Sequence, residues 1–421
     1  MSHRISHKRD AFAVYLLLEG SMALLLSLIF TVNMVYQATV VGLNPLQLVL
    51  VGTMLETVIF IFEVPTGVVA DVYSRRLSVI IGVFLIGIGF MLEGLVPRFG
   101  AVLAAQVLWG LGATFTSGAT QAWIADEVGE ERVGRAFLRG SQIGQIGGLV
   151  GIVLSVALAS VRINLPIVLS GVMIVGLGLL LALIMPENGV KLTPSQTRNS
   201  WRTMTQTFWG GIRLVRGRAI LMTFLGMSAI TGLYSEGFDR LWTAHLLENF
   251  TFPALDGFKP IVWFGIIHIV SMGLSIAAAE ILQRRIDTTD QLVVARAMIV
   301  MNALTVGSLA LFGLAGSFGL VLLAFWTVQV TRTLSGPLSM AWMNRHIESE
   351  VRATVFSMSS QVNAIGQIAG GPVVGVIGTV GSLRAALVTS GLILSPILLL
   401  LARGSRQSQE TPVLTVAAAP E

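Results

Sequence analysis

Glu56 and Glu63 stand seven residues apart inside a single apolar run. Seven residues is nearly two helical turns, so on a helix both carboxylates face the same way, about 10 Å apart. A carboxylate in hydrocarbon is costly unless it is protonated, paired or facing water, and such groups mark ion pathways and proton relays. Two on one face repel each other in a low-dielectric setting, which makes them candidates for proton exchange near physiological pH. The competing reading locks each in an ion pair with a buried base such as Arg296 or Arg332. Pro65, just after Glu63, removes one backbone hydrogen bond and bends the helix. Glu19 is a third candidate, and Glu236 is its counterpart in the second half of the chain.

Further polar residues interrupt other apolar runs. Glu236, Asp239 and Arg240 form a charged patch, with Glu236 and Arg240 four apart and placed to pair on one helix face. A substrate-facing gate and a locally neutralised helix end both fit that patch. His268 lies among Ile and Val, where it either titrates or is a satisfied core histidine. Gln329 and Arg332 are placed to meet Glu280 or a substrate anion. Asn33, Gln37, Gln106 and Gln142 are candidate cavity-lining amides. Trp109 either lines a cavity for an amphipathic ligand or packs as membrane tryptophans commonly do. There is no phosphate-cradling glycine loop, no histidine cluster at metal-ligand spacing and no cysteine. The expectation is a protein with no cofactor, no metal and no enzymatic activity.

These residues need a scaffold that holds them in a membrane. The chain has 421 residues, 54% hydrophobic and 12% charged, against roughly 25% charged in globular proteins. Roughly 20 apolar residues cross the hydrocarbon core, and on that measure twelve spans are expected. They lie at about 11–35, 46–70, 77–96, 100–124, 137–160, 164–185, 219–243, 260–283, 290–313, 317–341, 353–378 and 383–402. With the N-terminus placed in the cytoplasm, 20 of the 27 Lys and Arg residues fall in cytoplasmic segments, 4 in outer loops and 3 within spans. That bias sets orientation, so the chain reads as a multi-pass protein of the inner or plasma membrane with both termini cytoplasmic. The charge of +5 then reflects basic loops facing the bilayer surface, and not nucleic acid.

The longest polar break divides the spans six and six. The expected organisation is an N-terminal six-helix bundle over 1–186, a central cytoplasmic loop over 187–218, a C-terminal six-helix bundle over 219–404 and a disordered tail over 405–421. Within the loop, Trp201, Met204, Phe208, Ile212 and Val215 have the spacing of an amphipathic surface helix. Shifting 114–151 by 219 residues gives ten identities in 38 positions, among them Trp123/Trp342, Gly147/Gly366 and Gly151/Gly370. Two six-helix halves related by a repeat are an architecture of secondary transporters. Gly140, Gly144, Gly147, Gly148 and Gly151, matched by Gly366, Gly370, Gly371 and Gly375, let membrane helices approach closely.

Gly67, Asp71, Arg75 and Arg76 resemble the signature loop between the second and third helices of the major facilitator superfamily, with Val72 and Ser74 departing from it. That resemblance implies an all-α membrane fold of twelve helices in two pseudo-symmetric six-helix bundles. Glu63-x-Pro65 followed by Asp71 and Arg75-Arg76, with Glu56 earlier in the same helix, is similar to the clostridial P-type tetracycline-efflux proteins. This narrower resemblance implies roles in transport for Glu56 and Glu63. It also implies a conformational latch at Gly67, Asp71, Arg75 and Arg76. Gln106 stands where proton-coupled members carry an arginine, and Gly148 where the antiporter motif carries a proline. The function expected is a monomeric, proton-coupled antiporter exporting an amphipathic small molecule, with tetracycline-like antibiotics among the candidates. A proton symporter or uniporter for a metabolite is the alternative, and a non-transporting receptor or scaffold the minor one.

Overall fold

Local sequence places the helix starts. Asp10, Ser74, Asp290, Ser317 and Ser382 each accept a backbone N–H from the first turn that follows, which satisfies donors the helix itself cannot. Asn44 and Gln47 form a reciprocal capping box, with Pro45 at the first helical position. The computed structural model describes residues 10–189, 219–255, 259–286, 290–347 and 349–410. The expected amphipathic helix over 201–215 lies outside them.

The first half comprises α1 (Ala11–Phe30), α2 (Asn33–Thr39), α3 (Pro45–Val72), α4 (Arg75–Leu95), α5 (Phe99–Thr116), α6 (Ala119–Val128), α7 (Glu130–Val161) and α8 (Leu165–Ile184). The second comprises α9 (Ala219–Asn249), α10 (Val262–Arg285), α11 (Gln291–Leu314), α12 (Phe318–His346), α13 (Ser349–Val380), α14 (Leu383–Leu394) and α15 (Ile397–Glu410). Three expected spans are broken helices, the twelfth between α14 and α15 at Ser395 and Pro396. The first breaks between α1 and α2 at Thr31 and Val32. The fourth breaks at Ser117 and Gly118, where Gly118 takes a φ of 71° that favours glycine.

Among the described residues, eleven helices are long and apolar enough to cross a membrane. The seventh expected span, α9, is not one of the eleven. It is a 31-residue helix whose composition is diluted by Glu236, Asp239 and Arg240. The last helix continues to Glu410, past residue 405 where the sequence reading begins a disordered tail.

The chain divides into two compact units. One holds residues 1–203 with Arg240–Ile269, the other 204–239 with Val270–Glu421. This departs from a clean division at the central loop, because the far end of α9 and the start of α10 group with the first half. Glycine sets the helix spacing in each unit. A Cβ at Gly147 would lie 2.6 Å from the Gly20 carbonyl, and one at Gly82 equally close to that of Gly112. In the second unit, a Cβ at Gly366 would lie 2.7 Å from the Ala229 carbonyl. The repeat-matched glycines therefore seat α7 on α1 and α13 on α9.

Candidate functional site

In the first unit the break after α1 brings Asn33 and Gln37 onto the short helix α2. There they meet Glu93, two residues from the end of α4. The Glu93 side chain is fully enclosed, at 0% exposure, as are those of Gln37 and Gln106. Gln37 Nε2 donates to Glu93 Oε1 at 2.7 Å, and Gln106 Nε2 to Oε2 at 3.3 Å. Gln37 Nε2 also lies 3.4 Å from Asn33 Oδ1, and Arg240 of α9 acts on the carboxyl electrostatically. The Tyr36 hydroxyl donates to the Glu93 carbonyl at 2.8 Å, so the end of α4 is held by side chain and backbone alike. Among the described residues, Gln37 Oε1 and Gln106 Oε1 are buried with no hydrogen-bond partner.

Asn33, Gln37 and Gln106 were legible in the sequence as cavity candidates, and the fold unites them around a carboxyl that the sequence reading passed over. The signal for Glu93 lay in the amides, since three intramembrane amides on neighbouring helices need an acceptor. Trp109, one turn beyond Gln106 on α5, packs against Phe30 and Phe90 with ring centroids 5.0 and 5.4 Å away.

The glutamates of α3 do not join this cluster. Glu63 is exposed and Glu56 half-buried. Glu19 on α1 is half-buried beside Tyr15. Gln142 is exposed on α7, where it accepts a hydrogen bond from Arg139 at 3.2 Å. His268 meets Trp242 edge to face at 5.8 Å, and its Nε2 is buried without a hydrogen-bond partner among the described residues.

A second cluster lies in the other unit. Arg332 on α12 forms a two-pronged pair with Asp239 on α9, at 2.5 and 2.8 Å. Parallel bonds of this kind use the guanidinium fork fully. Arg332 also lies 5.8 Å from the Tyr234 ring centroid and 6.0 Å from that of Phe238, and buried Glu236 adds to the negative field around it. The expected partner Glu280 is not the one chosen. It pairs with Arg284 one turn along its own helix, at 2.7 Å. Arg332 and Asp239 line a cleft with Gln329, Ser271 and Ser275. Arg332 also walls a separate cavity of about 270 Å³ that includes Ser228, Tyr234, Asn302 and Asn363.

At the turn between α3 and α4, Arg75 bonds Asp71 at 3.4 Å and forms a closer ion pair with Asp126 of α6. Arg76 Nη2 donates to the Ala182 carbonyl at 2.6 Å, and Glu187 accepts from the Ser74 hydroxyl at 2.7 Å. Asp126 and Glu187 are the acidic partners that this turn meets from other helices and loops, and neither was singled out from the sequence. A Cβ on Gly67 would meet nothing within 4 Å.

The sequence profile of the Major Facilitator Superfamily matches residues 12–371. The chain belongs to that superfamily. An uncharacterised facilitator-type transporter of Bacillus subtilis (strain 168), YxaM, is 23% identical over 361 residues, covering 84% of this chain and 86% of its own. Solved facilitator-like structures share the fold at lower identity. A POT family transporter has a TM-score of 0.73 at 15% identity, covering 94% of this chain and 96% of its own. The nucleoside transporter NupG has 0.71 at 16% identity, covering 96% and 100%. The protein is thus a multi-pass membrane transporter of the facilitator type, and membership implies a small-molecule substrate.

Proposed function

We propose that this transporter works as a proton-coupled antiporter, with Glu93 as a proton-exchanging group, moving a small organic solute by alternating access. The observation that carries the reading is the enclosed Glu93 carboxyl and its hydrogen-bond arithmetic. As a carboxylate, Glu93 accepts from two amides and leaves both amide oxygens unpaired. Protonated, it becomes a donor, and a flip of either amide supplies the acceptor. Both protonation states therefore find partners at one site, which a structural carboxyl does not require.

Export agrees with the similarity of residues 56–76 to tetracycline-efflux proteins, and Glu56 and Glu63 then remain candidates for a second proton step. In this reading the Arg75 latch, with Asp71, Asp126 and Arg76, stabilises one state of the cycle. A proton symporter is the second reading. It is favoured by Arg332 beside a polar cavity, since many imported metabolites are anionic.

The test uses proteoliposomes with an imposed pH gradient, assayed with labelled tetracycline and with a panel of labelled carboxylates. Solute movement should follow the gradient, collapse with an uncoupler and lose its pH dependence in Glu93→Gln. Gradient-driven transport that persists unchanged in Glu93→Gln contradicts the proposed role. The sign of the gradient that drives accumulation separates antiport from symport.

A further inference from the structure

We infer that the cavity beside Arg332 in the second unit is an organic-anion site, and that the transported solute carries a carboxylate. The inference rests on the transporter reading and names its substrate class.

Fifteen residues line this cavity, and Arg332 is the one charged residue among them. Nine of the others are uncharged polar residues, including Ser228, Thr231, Tyr234, Asn302 and Asn363. Hydroxyls and amides enclosed in a membrane helix bundle are costly unless they meet a polar guest, each other or a backbone carbonyl one turn back. Several are occupied within the protein: Ser228 with Ser359 at 2.5 Å, the Asn363 amide with the Ser228 carbonyl at 3.1 Å, and Asn302, Thr305 and Ser335 with carbonyls one turn back on their own helices. The volume of about 270 Å³ falls just under the ~300–1,000 Å³ of sites for drug-sized ligands, so the occupant is small.

Arg332 is a shared wall. Asp239 belongs to the cleft and not to the cavity lining, so a carboxyl group already holds the guanidinium from one side. The cavity side offers polar groups and no acid. The Arg332 and Asp239 side chains are 28% and 40% exposed, so the pair is open on the side of the cleft they line. A solute carboxylate entering the cavity finds a fork made for its geometry and competes with Asp239 for it. The ring of Tyr234, below the guanidinium, keeps the fork oriented during that exchange.

The experiment measures thermal stabilisation of the purified full-length protein by benzoate, lactate and succinate against their neutral amides. The carboxylates should stabilise in a concentration-dependent way and the amides should not. Asp239→Asn, which removes the competitor, should tighten carboxylate binding by roughly tenfold. Arg332→Gln should weaken it on the order of 30-fold. Because Arg332→Gln alone strands Asp239, the double variant Arg332→Gln/Asp239→Asn keeps a neutral hydrogen-bonding pair and should fold without binding carboxylates. Equal effects of acids and amides, no effect of either, carboxylate binding retained in the double variant, or unchanged binding in Asp239→Asn each overturn the inference. None of these readouts involves Glu93, so this result and the proton-coupling test fail separately.

Discussion

Glu93 differs from the other intramembrane carboxylates in what surrounds it. Glu63 reaches the surface of its unit and Glu19 leans on a single tyrosine, whereas Glu93 has amides on α2 and α5 and its whole side chain out of solvent. Glu93→Gln preserves shape and offers both a donor and an acceptor to Gln37 and Gln106. Its thermal unfolding should therefore stay within about 1 kcal/mol of the parent. Glu93→Ala leaves buried amides without partners and opens a cavity, so it should cost about 2–5 kcal/mol. Unfolding of the purified variants measures both. If glutamine costs as much as alanine, the negative charge itself is structural. The sequence concealed Glu93 because it sits beside the end of an apolar run, where polar residues ordinarily meet headgroups. Its enclosure depends on the break at Thr31 and Val32 and on the packing of α5, neither of which is a local property.

At the scale of helices, the glycine pattern was the most legible feature, because small residues at three- and four-residue spacing have one dominant physical use. Gly147 and Gly366, paired by the internal repeat, both sit against the backbone of a neighbouring helix. Alanine at either should cost about 1–3 kcal/mol through overpacking, read as a lower Tm. Gly67 is different: a Cβ there meets open space, so Gly67→Ala should leave stability within about 0.5 kcal/mol. Slowed transport in that variant would place its role in another state of the cycle, whereas a large loss of Tm would contradict the open space around it. The proposed latch offers a sharper contrast. Arg75 sits closer to Asp126 than to Asp71, and the Asp71 side chain is 58% exposed. Asp126→Asn should therefore slow transport more than Asp71→Asn, measured as initial rates in proteoliposomes. The loop motif revealed Asp71 and both arginines. It could not reveal Asp126 or Glu187, whose contacts join α4 to segments about 50 and 110 residues away.

Across the whole molecule, the repeat and the apolar spans made the fold readable, since bilayer thickness and backbone hydrogen bonding leave few alternatives. The grouping of Arg240–Ile269 with the first unit was not readable, because it depends on which helices touch and not on where apolar runs end. Arg240 consequently acts on Glu93 from the second half of the sequence. A proton moved down a membrane potential is worth about 2.3 kcal/mol per 100 mV, enough to sustain a solute gradient if it is bound and released at a defined group. The central claim is that Glu93 is that group. The most direct test is infrared pH titration of the purified full-length protein, following the carbonyl stretch of protonated carboxyl groups, with Glu93→Gln and Glu63→Gln alongside. The account predicts a carboxyl band that titrates reversibly in the parent and in Glu63→Gln and is missing from Glu93→Gln. An identical titration in the parent and in Glu93→Gln would contradict it.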